Sequence, residues 1–432
     1  MKHTIKIPTM TIKFTSNVFF TLLIGVMLCH YTLFDYFAVI IEKLPVVSIL
    51  KPLFFPILYS LLVLLSYNSA RLKWIRVTDI GIVIFFSISI LLTIVFHPQN
   101  SQYIAEGLWT DILPCIPFFM LGLCIDLDED TYKTVSLLSC WAILVNTLYV
   151  VYFLSGGRAL GGSHGEDYSM YWAYLLLPNT LIAIDYFFKS RKLFPAICSV
   201  IGVIYAFAMG TRGPIVVIAA FIIICIWRYI NLRTSKKIIA IIALGVAVFA
   251  FVSSPLYMQF LLEFKAFLAD NGVSTRVVDY LISSEMISQT SGRDDIYIDL
   301  LNKLNEHPFM GYGVYGEYPL GYPAGAHNIY LQVVFHFGYP LGIIMLLGYI
   351  GVFVKAFNIT KGSVTQGWIA LFGCLVFVSG IFGGNYLDYT VFFLLGLCLK
   401  SLREERYRQK TAKEKGELSN GAKSIYYTRK VL

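Results

Sequence analysis

Residues 77–96 read VTDIGIVIFFSISILLTIVF, twenty residues carrying a single charge, Asp79. A helix of that length spans the roughly 30 Å hydrocarbon core of a bilayer, which needs about 20 mostly apolar residues. Comparable runs lie near 17–34, 46–66, 108–125, 134–154, 168–188, 193–209, 213–229, 238–254, 329–354, 368–382 and 389–399. Together they predict an all-α, polytopic membrane protein with about 12 spanning helices. The chain of 432 residues is 57% hydrophobic and only 14% charged, with a mean hydropathy of +0.69. A soluble domain carries about a quarter charged residues, so a soluble enzyme, a disordered chain and a nucleic-acid reader are all excluded.

Orientation follows from where Lys and Arg fall, because cytoplasmic loops of short length are enriched in them. With the N-terminus inside, 26 of the 34 basic residues fall on cytoplasmic segments, ten of them in the stretch from Lys400 to Lys430. Both termini are therefore expected in the cytoplasm. The net charge of +8 is mostly topology rather than a polyanion site. The start MKHTIKIPTMTIK followed by apolar Val18–Leu28 resembles a signal sequence, but lacks a small-residue cleavage site and reads as an uncleaved first helix. The eight cysteines all lie within apolar runs and form no CxxC pair, so neither a disulfide frame nor a metal site is expected. The expected organisation is helices 1–9 over 1–254, a long extracytoplasmic loop over 255–328, helices 10–12 over 329–400, and a basic cytoplasmic tail over 401–432.

The long loop is the functional candidate, since connections of that length are seldom idle. It holds four basic residues (Lys265, Arg276, Arg293, Lys303) against nine acidic ones, so each cation stands out. Within it, Ser291-Gly-Arg-Asp294 reads as a helix start, and Ile296, Leu300, Leu301 and Leu304 give one apolar face. That helix is expected to stop at Glu306-His307-Pro308 and to lie on the membrane surface or against the bundle. Arg293 falls in its first turn, where it either binds an anion or pairs with a neighbouring aspartate. Next, Gly311-Tyr-Gly-Val-Tyr-Gly316 matches a dinucleotide-binding pattern by form only, having no preceding strand or βαβ unit. It reads as a flexible turn whose Tyr312 and Tyr315 offer ring faces to sugars or to the membrane interface.

His327, in Ala326-His327-Asn328, stands at the outer N-terminus of the run from Ile329, where the helix dipole favours a neutral imidazole able to take a proton. The bland alternative is an interfacial anchor, and His164, His307 and His336 compete for any catalytic role. Arg212 sits in a short turn between two apolar runs, with Pro214 suited to a first helical position. A guanidinium at that depth needs an anion, carbonyls or a lipid headgroup. Arg158 occupies a glycine-rich outward loop with similar logic.

Ser291-Gly-Arg, His307-Pro-Phe-Met-Gly-Tyr-Gly, and Ala326-His-Asn-Ile-Tyr-Leu-Gln332 opening a helix resemble the O-antigen ligase and O-antigen or capsule polymerase superfamily. Thr211-Arg-Gly upstream, and Arg158 followed by glycines and Pro178-Asn179, add to the likeness. The resemblance implies an oligosaccharide on a polyprenyl diphosphate as substrate, presented at the outer face. An acceptor hydroxyl attacks the anomeric carbon and lipid diphosphate departs, with no metal or cofactor required. By the same resemblance, Arg212 and Arg293 hold the diphosphate and His327 orients or deprotonates the acceptor. Arg158, Arg276, Asn328, Tyr312 and Tyr315 are the accompanying substrate-binding candidates. A polymerase is the preferred reading, a ligase transferring finished glycan to lipid A core or protein the second, and a lipid-oligosaccharide flippase the third. Chain-length regulator and flippase proteins are possible partners, beside the membrane lipids.

Overall fold

The computed structural model describes residues 3–7, 10–14, 76–125, 127–154, 170–208, 212–230, 254–270, 293–322 and 325–414, with a few isolated positions between. The expected runs near 17–34, 46–66 and 238–254 lie outside the described residues, as do Arg158, Arg276 and most of the basic tail. The side chain of Arg212 is likewise outside them.

Among the described residues the body is helical. It follows a short antiparallel hairpin of β1 (His3–Ile7) and β2 (Met10–Phe14), paired with His3 opposite Phe14. The hairpin was not expected from the sequence, although Ile5, Ile7, Ile12 and Phe14 alternate with polar residues at strand spacing. The helices are α1 (Val77–Phe96), α2 (Ser101–Gly107), α3 (Leu113–Cys124), α4 (Glu129–Leu154), α5 (Met170–Ser190) and α6 (Leu193–Ala208). They continue with α7 (Arg212–Tyr229), α8 (Pro255–Asp270), α9 (Arg293–Glu306), α10 (Ile329–Ile359), α11 (Val364–Gly373) and α12 (Tyr389–Glu414). Three are long and apolar enough to cross a membrane: α1, α10, and α11 with its continuation to Ile381. Leu113–Cys124, Leu193–Ala206 and Gly213–Tyr229 are shorter apolar helices at expected positions.

Lipid is as apolar as leucine, so spanning helices associate through close packing and internal polar contacts rather than through hydrophobic burial. Leu91 and Val95 on α1 are accordingly 60% and 70% exposed. The central core joins α3, α5, α7, α11 and α12 through Leu121, Leu181, Phe221, Ile369 and Leu394. The α3–α12 crossing is close because glycines face main chain on both sides. A β-carbon at Gly122 would stand 2.4 Å from the Phe393 carbonyl, and one at Gly396 2.3 Å from that of Phe119.

Two buried ion pairs tie the described helices together, as a low-dielectric setting favours. Arg403 forks onto Asp79, with Nη1–Oδ2 at 2.6 Å, joining the start of α1 to α12. Asp185 on α5 takes Arg228 Nη1 at 2.7 Å and the Tyr132 hydroxyl at 2.7 Å. Both clusters lie at the end of the bundle where Lys189, Arg191, Lys192 and Lys400 also fall, which is the basic end of the topology. The opposite end carries α9 and the loop following it.

Candidate functional site

Helix α9 starts at Arg293 and ends at Glu306, as the spacing predicts. It packs against the bundle: Leu300 and Leu304 are fully buried beside Ala326 and Phe335, with Ile296 on the same stripe. Leu301 falls off that stripe and is 40% exposed. The stripe runs 296, 300, 304, a simple i, i+4 row, and one position further on turns away from it.

Beyond α9, residues 307–322 form a docked loop, not the flexible turn expected from the glycines. Helix α10 breaks at Gly338, whose φ is +76°, two residues before Pro340. Proline has no N–H, so the His336 carbonyl loses its helical donor. The Tyr339 N–H donates instead to Pro308 O at 2.8 Å, which leaves the Phe335 carbonyl free as well. The loop supplies both missing donors, Tyr312 N–H to Phe335 O at 2.9 Å and Gly313 N–H to His336 O at 3.0 Å. Asn100 and Thr93 complete the clamp: Asn100 Nδ2 donates to the carbonyls of Tyr312 and Val314, and Val314 N–H donates to Thr93 Oγ1 at 3.0 Å. Tyr312 stacks on Phe335 with centroids 4.7 Å apart, and Tyr315 is buried with its hydroxyl on Asp111 at 2.7 Å. These two rings therefore serve packing in this arrangement, whereas the sequence reading offered them to a ligand.

The loop leads into Ala326-His327-Asn328. Asn328 caps α10, its side-chain oxygen accepting from Tyr330 N–H at 3.0 Å and Leu331 N–H at 3.1 Å. Its amide oxygen is thereby committed to the cap, so its contribution is to orient the residue before it. His327 has a φ of +50°, a left-handed conformation that few non-glycine residues adopt. The Tyr297 hydroxyl of α9 donates to the His327 carbonyl at 3.3 Å. Burial lowers the His327 pKa below 6.5, and the positive charge of Arg293 lowers it further. The ring is thus neutral at pH 7, as expected, but through burial and a neighbouring guanidinium rather than the helix dipole.

Arg293 Nη1 donates to the Phe382 carbonyl at 2.7 Å. That carbonyl belongs to residues 382–388, the connection between α11 and α12, which sequence reasoning passed over. Phe382 also touches the start of α7: a β-carbon at Gly213 would meet its Cβ at 3.1 Å and the Tyr174 hydroxyl at 2.0 Å. The residue after Arg212 therefore packs against the residue that holds Arg293. The N-terminus of α7, the N-terminus of α9 and the N-terminus of α10 converge on one connection at one end of the bundle. Three helix N-termini, an arginine and a neutral histidine form an environment suited to an anion beside a proton acceptor.

Residues 197–346 match the family model described as O-antigen ligase. That stretch is similar to the O-antigen ligase family. The match runs from within α6 to within α10 and takes in Arg212, Arg276, Arg293, Tyr312, Tyr315, His327 and Asn328. Arg158 and the 382–388 connection lie outside it. Comparison with curated proteins gives no match. Enzymes of the O-antigen ligase and polymerase type are membrane glycosyltransferases working on lipid-linked glycans, and the apolar helices agree with a membrane protein.

Sequence reasoning missed Phe382, Glu317, Gln332 and Tyr386. Glu317 carried one available signal, an acidic residue amid aromatics directly after the glycine pattern. A carbonyl acceptor such as that of Phe382 has none.

Proposed function

We propose that this protein is a polysaccharide polymerase that joins polyprenyl-diphosphate-linked repeat units at the outer face of a bacterial cytoplasmic membrane. The observation that supports this reading is that Arg293 and the α7 N-terminus meet at Phe382 with the neutral His327 beside Arg293, in a chain whose residues 197–346 match the O-antigen ligase family. The acceptor hydroxyl attacks the anomeric carbon, its proton passes to the neutral His327 ring, and the bond from that carbon to the diphosphate oxygen breaks. Diphosphate is already a competent leaving group, so the main task is to stabilise its growing charge. Guanidinium groups aimed at that charge do this through charge-assisted hydrogen bonds. Arg293 takes this role with Arg212, and Arg158 and Arg276 are further candidates for gripping the donor. Both termini lie in the cytoplasm on this reading, at the basic end. Chain-length regulator and flippase proteins are its expected partners.

A ligase acting on lipid A core or protein is the second reading, favoured by the description of the matched family. Purified protein supplied with lipid-linked repeat units alone separates them. A polymerase produces a ladder of products on a gel. A ligase produces none until its acceptor is added, and then transfers to that acceptor.

A further inference from the structure

Beneath the His327 turn lies a charged group that the transfer reaction does not call on. Glu317 is fully buried, as are His336, Gln332 and Tyr386 around it, at 1%, 3% and 4% exposure. One carboxylate oxygen of Glu317 receives Gln332 Nε2 at 2.8 Å, and the other pairs with His336 Nε2. The carboxylate can only accept, so Nε2 donates to it, and the other ring nitrogen, Nδ1, is hydrogen-bonded with the Tyr386 hydroxyl at 2.9 Å. Tyr386 N–H returns to Gln332 Oε1 at 3.3 Å, closing the ring of contacts.

Burying a carboxylate costs several kcal/mol, and an apolar substitute of similar volume is often the more stable choice. Holding the loop does not explain that expense, because residues 308–314 are already docked by main-chain hydrogen bonds. What the carboxylate adds is reach in two directions. Its Oε1 lies 3.4 Å from the place a β-carbon would take on Gly325, two residues before His327. Through Gln332 and His336 it fixes the first turns of α10, which Asn328 and His327 begin. Through Tyr386 it grips the same connection whose Phe382 carbonyl orients Arg293 four residues earlier.

We infer that Glu317, with His336 and Tyr386, is a positioning device that sets the separation of His327 from Arg293. The inference rests on the reading of His327 as the base. A displacement near 1 Å in such a constellation costs about 100-fold in rate. His327 is faced by Arg293 and Tyr297 from α9 and is followed by Asn328 on its own element, so its titration reports that separation.

The test uses the full chain in lipid nanodiscs with lipid-linked repeat units, comparing Glu317→Gln and Tyr386→Phe with the unaltered protein. Each is expected to lower kcat by about 10–100-fold. KM for the lipid-linked donor should stay within about threefold, since donor contacts are intact. The acid limb of kcat/KM should move up towards 6.5 as the His327 ring loosens from Arg293 and from its burial. Unchanged kcat, a rise in KM alone, or a fall in kcat with an unmoved acid limb overturns the inference. Should Glu317→Gln fail to fold, Tyr386→Phe decides, because it removes one hydroxyl and no charge. His327→Ala run alongside keeps the two ideas apart: unaltered turnover there overturns the base itself, whatever the Glu317 variant does.

Discussion

Gly311→Ala tests how the loop after α9 is held. The residue has a φ of +65°, so any side chain there incurs about 1–2 kcal/mol of left-handed strain. The added carbon would stand 2.5 Å from Phe335 O, 2.6 Å from Gly338 N and 2.7 Å from His336 O, all main-chain atoms that cannot swing aside. The loop must lift, breaking the hydrogen bonds from Tyr312 and Gly313, each worth about 1 kcal/mol net. It would leave two carbonyls whose helical donors are lost to Pro340 and Pro308, at about 1–3 kcal/mol each if they stay dry. The stranded carbonyls already include the lost bonds, so strain and carbonyls together cost about 3–8 kcal/mol unless water enters. Gly321→Ala is the control: its φ is +92°, yet nothing lies within 4 Å of the added carbon, so only conformational strain remains. Apparent melting temperature in nanodiscs, followed by tryptophan fluorescence, should fall far more for Gly311→Ala, with glycosyl transfer lost. Equal shifts for the two variants would refute the docking argument.

Two further outcomes follow from the same structure. Asp79→Ala removes the carboxylate that the buried Arg403 guanidinium forks onto, and breaking a buried pair this way costs about 3–5 kcal/mol. Melting should drop accordingly, and Arg403→Met added to it should recover part of the loss by removing the buried charge. Transfer activity should hold a plateau at neutral pH and fall only below 6.5, because burial and Arg293 keep His327 neutral down to lower pH than a free imidazole. A pH–rate profile of kcat/KM whose acid limb lies above 6.5 would contradict that assignment.

Much of the helical body was legible because hydropathy over twenty residues and helical spacing are local signals. Val77–Phe96 and the start of α10 at Ile329 fall where the apolar runs put them, and α9 has both its ends where the sequence predicts. Of the site, Arg293 and His327 stood out by charge and by position beside a helix start. The rest was hidden for physical reasons. Gly338 and Pro340 disconnect two carbonyls from their own helix, and the donors that replace them lie more than twenty residues earlier in the chain. The Glu317–His336 pair and the Arg293–Phe382 contact join segments whose proximity is set by helix packing, which periodicity does not report. The glycine pattern at 311–316 was read as freedom, while Gly311 is glycine because main chain passes too close for anything else.

The central claim is that the neutral histidine beside Arg293 takes the acceptor proton during glycosyl transfer. His327→Ala, assayed for release of lipid diphosphate and for product ladder, tests it most directly. General-base help is worth about 10²–10⁴-fold, so turnover should fall by that factor while melting temperature holds. Turnover near that of the unaltered protein, from a folded variant, would contradict the account.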